Sequence, residues 1–230
     1  MPGRPAYYTL IGSLPAMPAH FELAERMPIS RLSLHERLKL LEPSDAASLQ
    51  EMSGFLVWER QPVERTDSQV VEYYEKFMAS SRHALVRQII TYGMQVRTIV
   101  AAFRARRLEL DPPIGISPLT EKIARQWKAP TFGLENEYPY VTSIQQSLEG
   151  DTPADLERLG LGILWDQLAR LSGEYHQGFE FVVLYLFKWE IVSRWLGRDA
   201  QQGQDRFSGL VQAALGPYQD MFSTDGTPSK

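Results

Sequence analysis

The 230-residue chain contains no cysteine. This absence excludes disulfide bonds, thiol nucleophiles, iron–sulfur clusters and every zinc site that needs a cysteine ligand. The sequence also lacks the G-x-x-x-x-G-K-[ST] loop that binds phosphates and the G-x-S-x-G turn of serine hydrolases. It has no H-E-x-x-H pair, and no glutamate is followed by a histidine three positions later. We therefore predict no catalytic residue, no metal site and no cofactor.

Long apolar runs and an excess of positive charge are missing too. The most apolar stretch, Phe179–Leu196, is interrupted by Glu180, Lys188, Glu190 and Arg194, whereas a bilayer helix needs about 20 residues with few or no charges. The N-terminus lacks the charged and apolar regions of a signal peptide. The net charge is −4, and nucleic-acid-binding domains are normally basic. We therefore expect a cytoplasmic protein that neither spans a membrane nor binds nucleic acid.

What the sequence does contain is a succession of helix signals. Capping-box spacing at Ser33–Glu36 and at Thr66–Gln69 predicts two helix starts, each followed by apolar residues at helical spacing. The same spacing predicts a long helix from Ser81 or Arg82 to about Leu108. Signals of this kind continue along most of the chain. The only architecture that they support well is an all-α, multi-helix bundle.

The second half of the chain repeats this pattern. Ser117 is predicted to cap a helix that has Pro118 at its first position, where a missing N–H costs nothing. A short helix is predicted around Val141–Leu148. Thr152–Asp155 combines a cap, a proline and a carboxylate, which favours a helix start. The apolar region that follows is long enough for two helices, with a predicted break near Ser172–Gly173.

The two ends of the chain differ from its middle. Tyr7–Pro15 is β-branched and aromatic before a glycine and a proline, so we predict a short extended N-terminal segment. A last amphipathic helix is predicted over about Arg206–Leu215, and residues 223–230 are predicted to be a disordered tail. Residues 1–222 are expected to form one helical domain, or two lobes of about residues 1–115 and 116–222.

One group of candidate partner-binding residues gathers in the last turns of the long predicted helix: Arg97, Arg104, Arg106 and Arg107. Cations at a helix C-terminus complement the helix dipole by about 0.3–1 kcal/mol each, which is one interpretation of the cluster. The other is a docking patch for acidic side chains or phosphate, since guanidinium binds both through paired hydrogen bonds. The sequence leaves both interpretations open.

A second group lies in the apolar stretch from Phe179 onwards, which carries aromatic side chains on nearly every face of its predicted helix. Such a helix is either surrounded by its own core or turned on one side toward another protein chain, where Trp, Tyr and Arg are favoured. Its charged residues must reach an acidic partner or extend outward, because an unpaired buried charge is costly. The candidate partner-binding residues here are Tyr185, Lys188, Arg194 and Trp195.

Two alternative functions remain beside partner binding in an assembly. A helical-bundle enzyme or a ligand- or metal-binding protein would place its pocket near Glu174 and His176, with Tyr185 and Asp166 as further members. His176 and Glu180 are expected to share a helical face, but a metal needs three or four convergent ligands. The second alternative is a free-standing helical adaptor that binds other proteins.

The two ends of the chain resemble a known family. Tyr7–Pro15 is similar to the "YYxLxxSLP" start of an uncharacterised bacterial family encoded in V/A-type ATPase operons. Leu184–Trp189, Ser193–Trp195, Gly203 and Phe207 resemble the pattern "aYllKl…eRW…G…F" of the same family.

The middle of the chain carries a more distant likeness. Val96–Ile99 and Phe103–Arg107 are similar to a helix of the C/d-type central-stalk protein of V/A-type ATPases that usually reads "lrNixtxlRxr". This chain has Arg97 and Thr98 where that helix often has an asparagine.

The resemblance implies a non-catalytic role in the central stalk. The C/d-type stalk protein is an all-helical funnel that sits on the proteolipid ring and receives the foot of the rotor shaft. The chain would then be a coupling or assembly protein that contacts shaft and ring proteins without a cofactor. It would be peripheral to the cytoplasmic face of the inner membrane. The C/d-type stalk protein is much longer and threefold pseudo-symmetric, so the resemblance implies a reduced equivalent or an accessory protein of the same operon.

Overall fold

The computed structural model of the chain describes residues 7–56, 66–150 and 153–197. Within these ranges the chain is all-α and has no β-strand, which confirms the predicted fold class. The helices are α1 (Tyr8–Ser13), α2 (Arg31–Leu38), α3 (Pro43–Leu56), α4 (Asp67–Ser80), α5 (Ala84–Arg107), α6 (Leu119–Arg125), α7 (Val141–Glu149), α8 (Pro153–Ser172) and α9 (178–197). A short 3₁₀ turn, Phe21–Leu23, precedes α2.

The N-terminal segment is helical, so the prediction of an extended segment over Tyr7–Pro15 was wrong. Tyr7 has a left-handed backbone (φ 52°) and α1 starts directly after it. The Tyr7 hydroxyl donates to Asp45 Oδ2 at 2.6 Å and accepts from the Glu42 N–H at 3.0 Å. The helix places Leu10 in the core with 1% of its surface exposed. These long-range contacts override the local preference of β-branched and aromatic residues for extended structure.

Local capping explains where two helices begin. The Thr66 hydroxyl accepts from the Gln69 N–H while the Gln69 side chain accepts from the Thr66 N–H, so the predicted capping box at the start of α4 is confirmed. The box predicted at Ser33–Glu36 was wrong, because Ser30 caps α2 by accepting from the Ser33 N–H at 3.1 Å. The Glu36 carboxylate instead pairs with the Lys39 ammonium at 2.7 Å.

The long helix α5 and the helices that follow it lie close to their predicted positions. The predicted cap of α6 was wrong in detail, because Pro118 is the N-cap residue and the Ser117 hydroxyl donates to the Glu121 carboxylate. The predicted break after Ser172 is confirmed, since α8 ends there and α9 starts at residue 178. The predicted cap at Thr152, the helix over 206–215, Gly203, Phe207 and the tail over 223–230 lie outside the described residues.

Two hydrophobic clusters share helices α5 and α8. The first buries residues of α1 to α4, the first half of α5, α8 and α9. The second buries Val96, Ile99, Ala102 and Phe103 of α5 together with residues of α6, α7 and the 131–134 turns. Helix α8 contributes Trp165 to the first cluster and Ile163 to the second. Helix α9 packs with the N-terminal helices in the first cluster. The division of residues 1–222 into one domain or two lobes stays a prediction.

Candidate functional site

The C-terminal half of α5 carries the four predicted arginines, and Arg97 and Arg106 each bond to another part of the fold. Arg106 donates to the carbonyls of Ala129 at 2.6 Å and Pro130 at 2.5 Å. Its guanidinium carbon lies 4.3 Å from the centre of the Phe132 ring. Partial burial lowers the pKa of this guanidinium, which stays charged in any protein. Arg97, which precedes Arg106 on α5, pairs with Asp67 on α4 at 3.5 Å.

The other two arginines border a groove. Arg107 Nη1 donates to the Leu148 carbonyl at 2.7 Å, which holds its side chain against the end of α7. The Arg104 side chain is exposed and makes no hydrogen bond or ion pair with the described residues. The two arginines are three positions apart and therefore lie on one face of α5. Both are also well placed to complement the negative end of the helix dipole.

We call this depression the α5–α7–α8 groove. Its volume is about 270 Å³, and its lining residues are Arg104, Arg107, Leu108, Ser147, Leu148, Pro153 and Leu156. The floor is mostly apolar, and the two charged lining residues are both cationic. Leu108 is 67% exposed although it is large and apolar. The groove thus combines an open apolar surface with two guanidinium groups, a composition that suits recognition of a partner carrying carboxylates.

Helix α9 holds the second group of predicted residues, which differ from one another in burial and in their contacts. Tyr185 is 5% exposed and belongs to the first hydrophobic cluster. Burial raises its pKa to about 12, and its hydroxyl makes no hydrogen bond with a described residue. Trp195 is partly buried, with its ring 5.2 Å from that of Phe21 in an edge-to-face arrangement.

The two predicted cationic residues of α9 both contact α8. The Lys188 ammonium lies 5.5 Å from the centre of the Trp165 ring, and burial lowers its pKa. Arg194 Nε donates to Glu157 Oε1 at 2.7 Å. All four predicted α9 residues therefore make contacts within the chain, and they lie apart from the α5–α7–α8 groove lining. Their partner-binding role stays a prediction.

Comparison with known proteins identifies a family. Residues 23–215 match the family described as "Protein of unknown function (DUF2764)". The chain belongs to this family. No curated protein and no solved structure matches the chain. The match to DUF2764 confirms membership of an uncharacterised family and contains no statement about V/A-type ATPases.

The DUF2764 chain does not form the metal-ligand arrangement that we considered at Glu174, His176 and Glu180. His176 lies in the turn between α8 and α9, and Gly178 with φ 80° redirects the chain before Glu180. The expectation that His176 and Glu180 share a helical face was therefore wrong. Among the described residues, no three Asp, Glu or His side chains come together in a way that could hold a metal ion.

A partly buried polar network in this DUF2764 protein was missed by sequence reasoning. The Asp45 carboxylate accepts from the Tyr7 hydroxyl through Oδ2, and its Oδ1 lies 3.7 Å from His83 Nε2. The side chains of His83 and Asp45 are 17% and 13% exposed. The His83 ring also lies 4.5 Å from the Phe179 ring. The network joins the starts of α1, α3, α5 and α9, and no spacing rule could connect residues that are 38 positions or more apart.

The described helices also bear on membrane association. In the ranges 7–56, 66–150 and 153–197, none of the helices has the length and apolar character needed to cross a bilayer. This agrees with the charges that interrupt the apolar sequence of α9.

Proposed function

We propose that the protein is a non-catalytic V/A-type ATPase-associated protein, a coupling or assembly factor that contacts the rotor shaft and the proteolipid ring. The residue motifs at both ends of the chain and in α5 support this proposal, as does the all-helical fold. The protein would act on the cytoplasmic face of the inner membrane through packing and charge. It would be a reduced equivalent of the C/d-type stalk protein or an accessory protein of the same operon.

The observation that supports the docking role is that the Arg104 side chain is exposed and makes no bond with the described residues. Arginine side chains lose considerable conformational freedom when fixed, so intramolecular bonds are needed to hold them in place, as they hold Arg97 and Arg106 here. The Arg104 side chain has no such bond within the described part of the chain and borders an apolar groove together with Arg107. Exposed guanidinium beside exposed apolar surface is typical of protein interfaces.

Co-purification from native membranes tests the proposed function. Affinity-tagged full-length protein is expected to bring down shaft or proteolipid proteins, identified by mass spectrometry. The double substitution Arg104→Glu with Arg107→Glu is expected to abolish this association, because it reverses both charges at the groove. Arg26→Glu with Arg82→Glu is the matched control, since both arginines are exposed and the change in net charge is the same.

Three outcomes would contradict the proposal. Wild-type protein that elutes alone, as a monomer with a bound metal or small molecule, would favour the enzyme or ligand-binding alternative. Partners outside the ATPase would favour a free-standing adaptor. Unchanged association in the Arg104/Arg107 variant would contradict the docking role of the two arginines and show that they only complement the helix dipole.

A further inference from the structure

The chemistry of the α5–α7–α8 groove selects the kind of partner that it can bind. Its volume of about 270 Å³ is below the roughly 300–1,000 Å³ of typical small-molecule pockets. Its apolar lining comes from the end of α5, the end of α7 and the first turn of α8. A shallow apolar depression of this size suits a few aliphatic side chains projecting from a protein surface.

Exposed apolar side chains extend along the chain from the groove. Leu108, which lines it, is 67% exposed, and Leu110 and Ile114 are 57% and 59% exposed. Leaving leucine-sized side chains in water forgoes the favourable free energy of burial, about 25 cal/mol for each Å². A protein partner would cover such side chains, whereas a free anion bound to the two arginines would not.

The two arginines set the charge and spacing of the partner. Arg107 is oriented by its bond to the Leu148 carbonyl, and Arg104 lies one helical turn before it on the same face. Two guanidinium groups one turn apart match two carboxylates one turn apart on a second helix. Glu109, Glu149 and Asp155 are exposed beside the groove-lining residues in sequence, so the carboxylates of a partner have to lie at the two guanidinium groups themselves.

We propose that the α5–α7–α8 groove binds an acidic amphipathic helix of a partner protein. Aliphatic side chains of that helix would pack on Leu108, Leu148 and Leu156, and its carboxylates would bind Arg104 and Arg107. This inference rests on the proposed docking function and adds the chemistry of the partner.

A defined peptide tests the inference on the full-length protein. The probe is a fluorescein-labelled helical peptide with two leucines four positions apart, each flanked by glutamates, and binding is followed by fluorescence anisotropy. Arg104→Glu is expected to weaken binding at least about tenfold, because it replaces an attractive charge by a repulsive one. Since the Arg104 side chain makes no bond with the described residues, this variant is expected to stay folded, with a melting temperature lowered only slightly by the reversed interaction with the helix dipole.

The controls separate charge from apolar contact. Arg26→Glu with Arg82→Glu is expected to bind the peptide with an affinity within about twofold of wild type. A peptide with serine in place of both leucines, and one with lysine in place of the glutamates, are each expected to lose binding. The affinity of the wild-type protein for the acidic peptide is expected to fall as the salt concentration is raised.

Four results would overturn the inference. The first is that the peptide does not bind the full-length chain. The second is that Arg104→Glu binds the peptide as tightly as wild type, and the third is that the serine peptide binds with unchanged affinity. The fourth is Arg104-dependent binding to phosphatidylglycerol vesicles or to a second copy of the chain in place of the peptide. Failure of the proposed function is distinguishable, because association with ATPase proteins is measured separately. Association without peptide binding would overturn only the partner chemistry, and peptide binding without association would overturn only the ATPase assignment.

Discussion

Neighbouring arginines on α5 have opposite roles, and the contacts of each side chain decide which. Arg106 satisfies two backbone carbonyls of the turn after α6 and covers the Phe132 ring. A carbonyl that loses such a donor must find water or stay unsatisfied, which costs free energy. The Arg104 side chain, two positions earlier, makes no comparable contact with the described residues. The sequence shows the same residue type at both positions, so it could not distinguish these roles.

Alanine substitutions at these two positions are expected to separate stability from binding. Arg106→Ala is expected to lower the free energy of unfolding by roughly 2–4 kcal/mol, because it removes two charge-assisted hydrogen bonds and a cation–π contact. Arg104→Ala is expected to change it by less than about 0.5 kcal/mol. Urea denaturation followed by circular dichroism measures both. Equal stability of the two variants would show that the Arg106 contacts contribute little.

Two tyrosines are expected to make the fold sensitive to alkaline pH. Burial raises the pKa of Tyr185 to about 12, and burial together with the hydrogen bond to Asp45 raises that of Tyr7 to about 12, from the ordinary value of 10. A phenol whose pKa is raised in the folded state contributes stability that is complete below pH 10. That contribution is lost as the pH rises from 10 through 12, because the unfolded chain ionises first.

Phenylalanine substitutions test this dependence. Tyr185→Phe is expected to flatten the fall in unfolding free energy above pH 10 and to be close to neutral at pH 7, since its hydroxyl has no partner among the described residues. Tyr7→Phe is expected to flatten the fall as well and to destabilise at pH 7 by about 0.5–1.5 kcal/mol, because it loses the Asp45 bond. Tyr8→Phe, at a residue 71% exposed, is the control. An unchanged alkaline slope in both variants would contradict the prediction.

At the scale of the helices, the predictions that succeeded depended on neighbours in sequence. The capping box of α4 and the break after α8 each involve residues a few positions apart, so their signals are complete in the sequence. The prediction for α1 failed because its helical form depends on a contact with Asp45 and on a core position for Leu10. The prediction for the start of α2 failed because Ser30 and Ser33 both have cap chemistry, and the sequence does not show which of them accepts from a helix N–H.

Two glycines near α5 are expected to respond oppositely to an added methyl group. A Cβ at Gly93 would lie 4.0 Å from Leu164 Cδ2, an ordinary contact, so Gly93→Ala is expected to stabilise the helix by about 0.5–1 kcal/mol. A Cβ at Gly115 would lie 2.7 Å from Thr98 Cγ2 and 2.8 Å from Thr120 Cγ2. Gly115→Ala is therefore expected to destabilise by about 1–3 kcal/mol. Thermal unfolding gives both values, and a destabilised Gly93→Ala would indicate tighter packing against α8.

At the scale of the molecule, α5 and α8 contribute to both hydrophobic clusters, so neither cluster can come apart without losing contacts of the other. The 24 residues of α5 extend over about 36 Å and bury one half in each cluster. We therefore expect the protein to unfold in a single cooperative step.

Truncations in the two clusters test this cooperativity. Leu171→Ala in the first cluster and Ile123→Ala in the second are each expected to cost about 2–5 kcal/mol and to shift one common transition. Leu32→Ala, at a residue 73% exposed, is the control and is expected to leave the transition in place. Circular dichroism and tryptophan fluorescence should report the same midpoint. Separate midpoints in Ile123→Ala would show that the second cluster unfolds independently.

The candidate site was predictable only in part. The arginines of α5 stand out in the sequence, because i, i+3 spacing places Arg104 and Arg107 on one face. The groove beside them needs Leu148 and Leu156, which are 40 or more positions away and belong to other helices. No local pattern encodes that juxtaposition. The engagement of Arg106 by the carbonyls of Ala129 and Pro130 is hidden for the same reason.

Several N-terminal residues make native contacts with the last described part of the chain, and this bears on how the protein emerges from the ribosome. Tyr8 donates to Gln177 at 3.1 Å across 169 positions, and the Trp189 ring N–H donates to the Ile29 carbonyl at 2.9 Å across 160 positions. At 5–20 residues per second, residues 8–29 wait roughly 8–30 s for their partners to be synthesised. Phe21, fully buried in the finished fold, stays without its neighbours Trp165 and Trp195 during that interval. A nascent chain of this protein therefore presents its first apolar segment to chaperones for most of its synthesis.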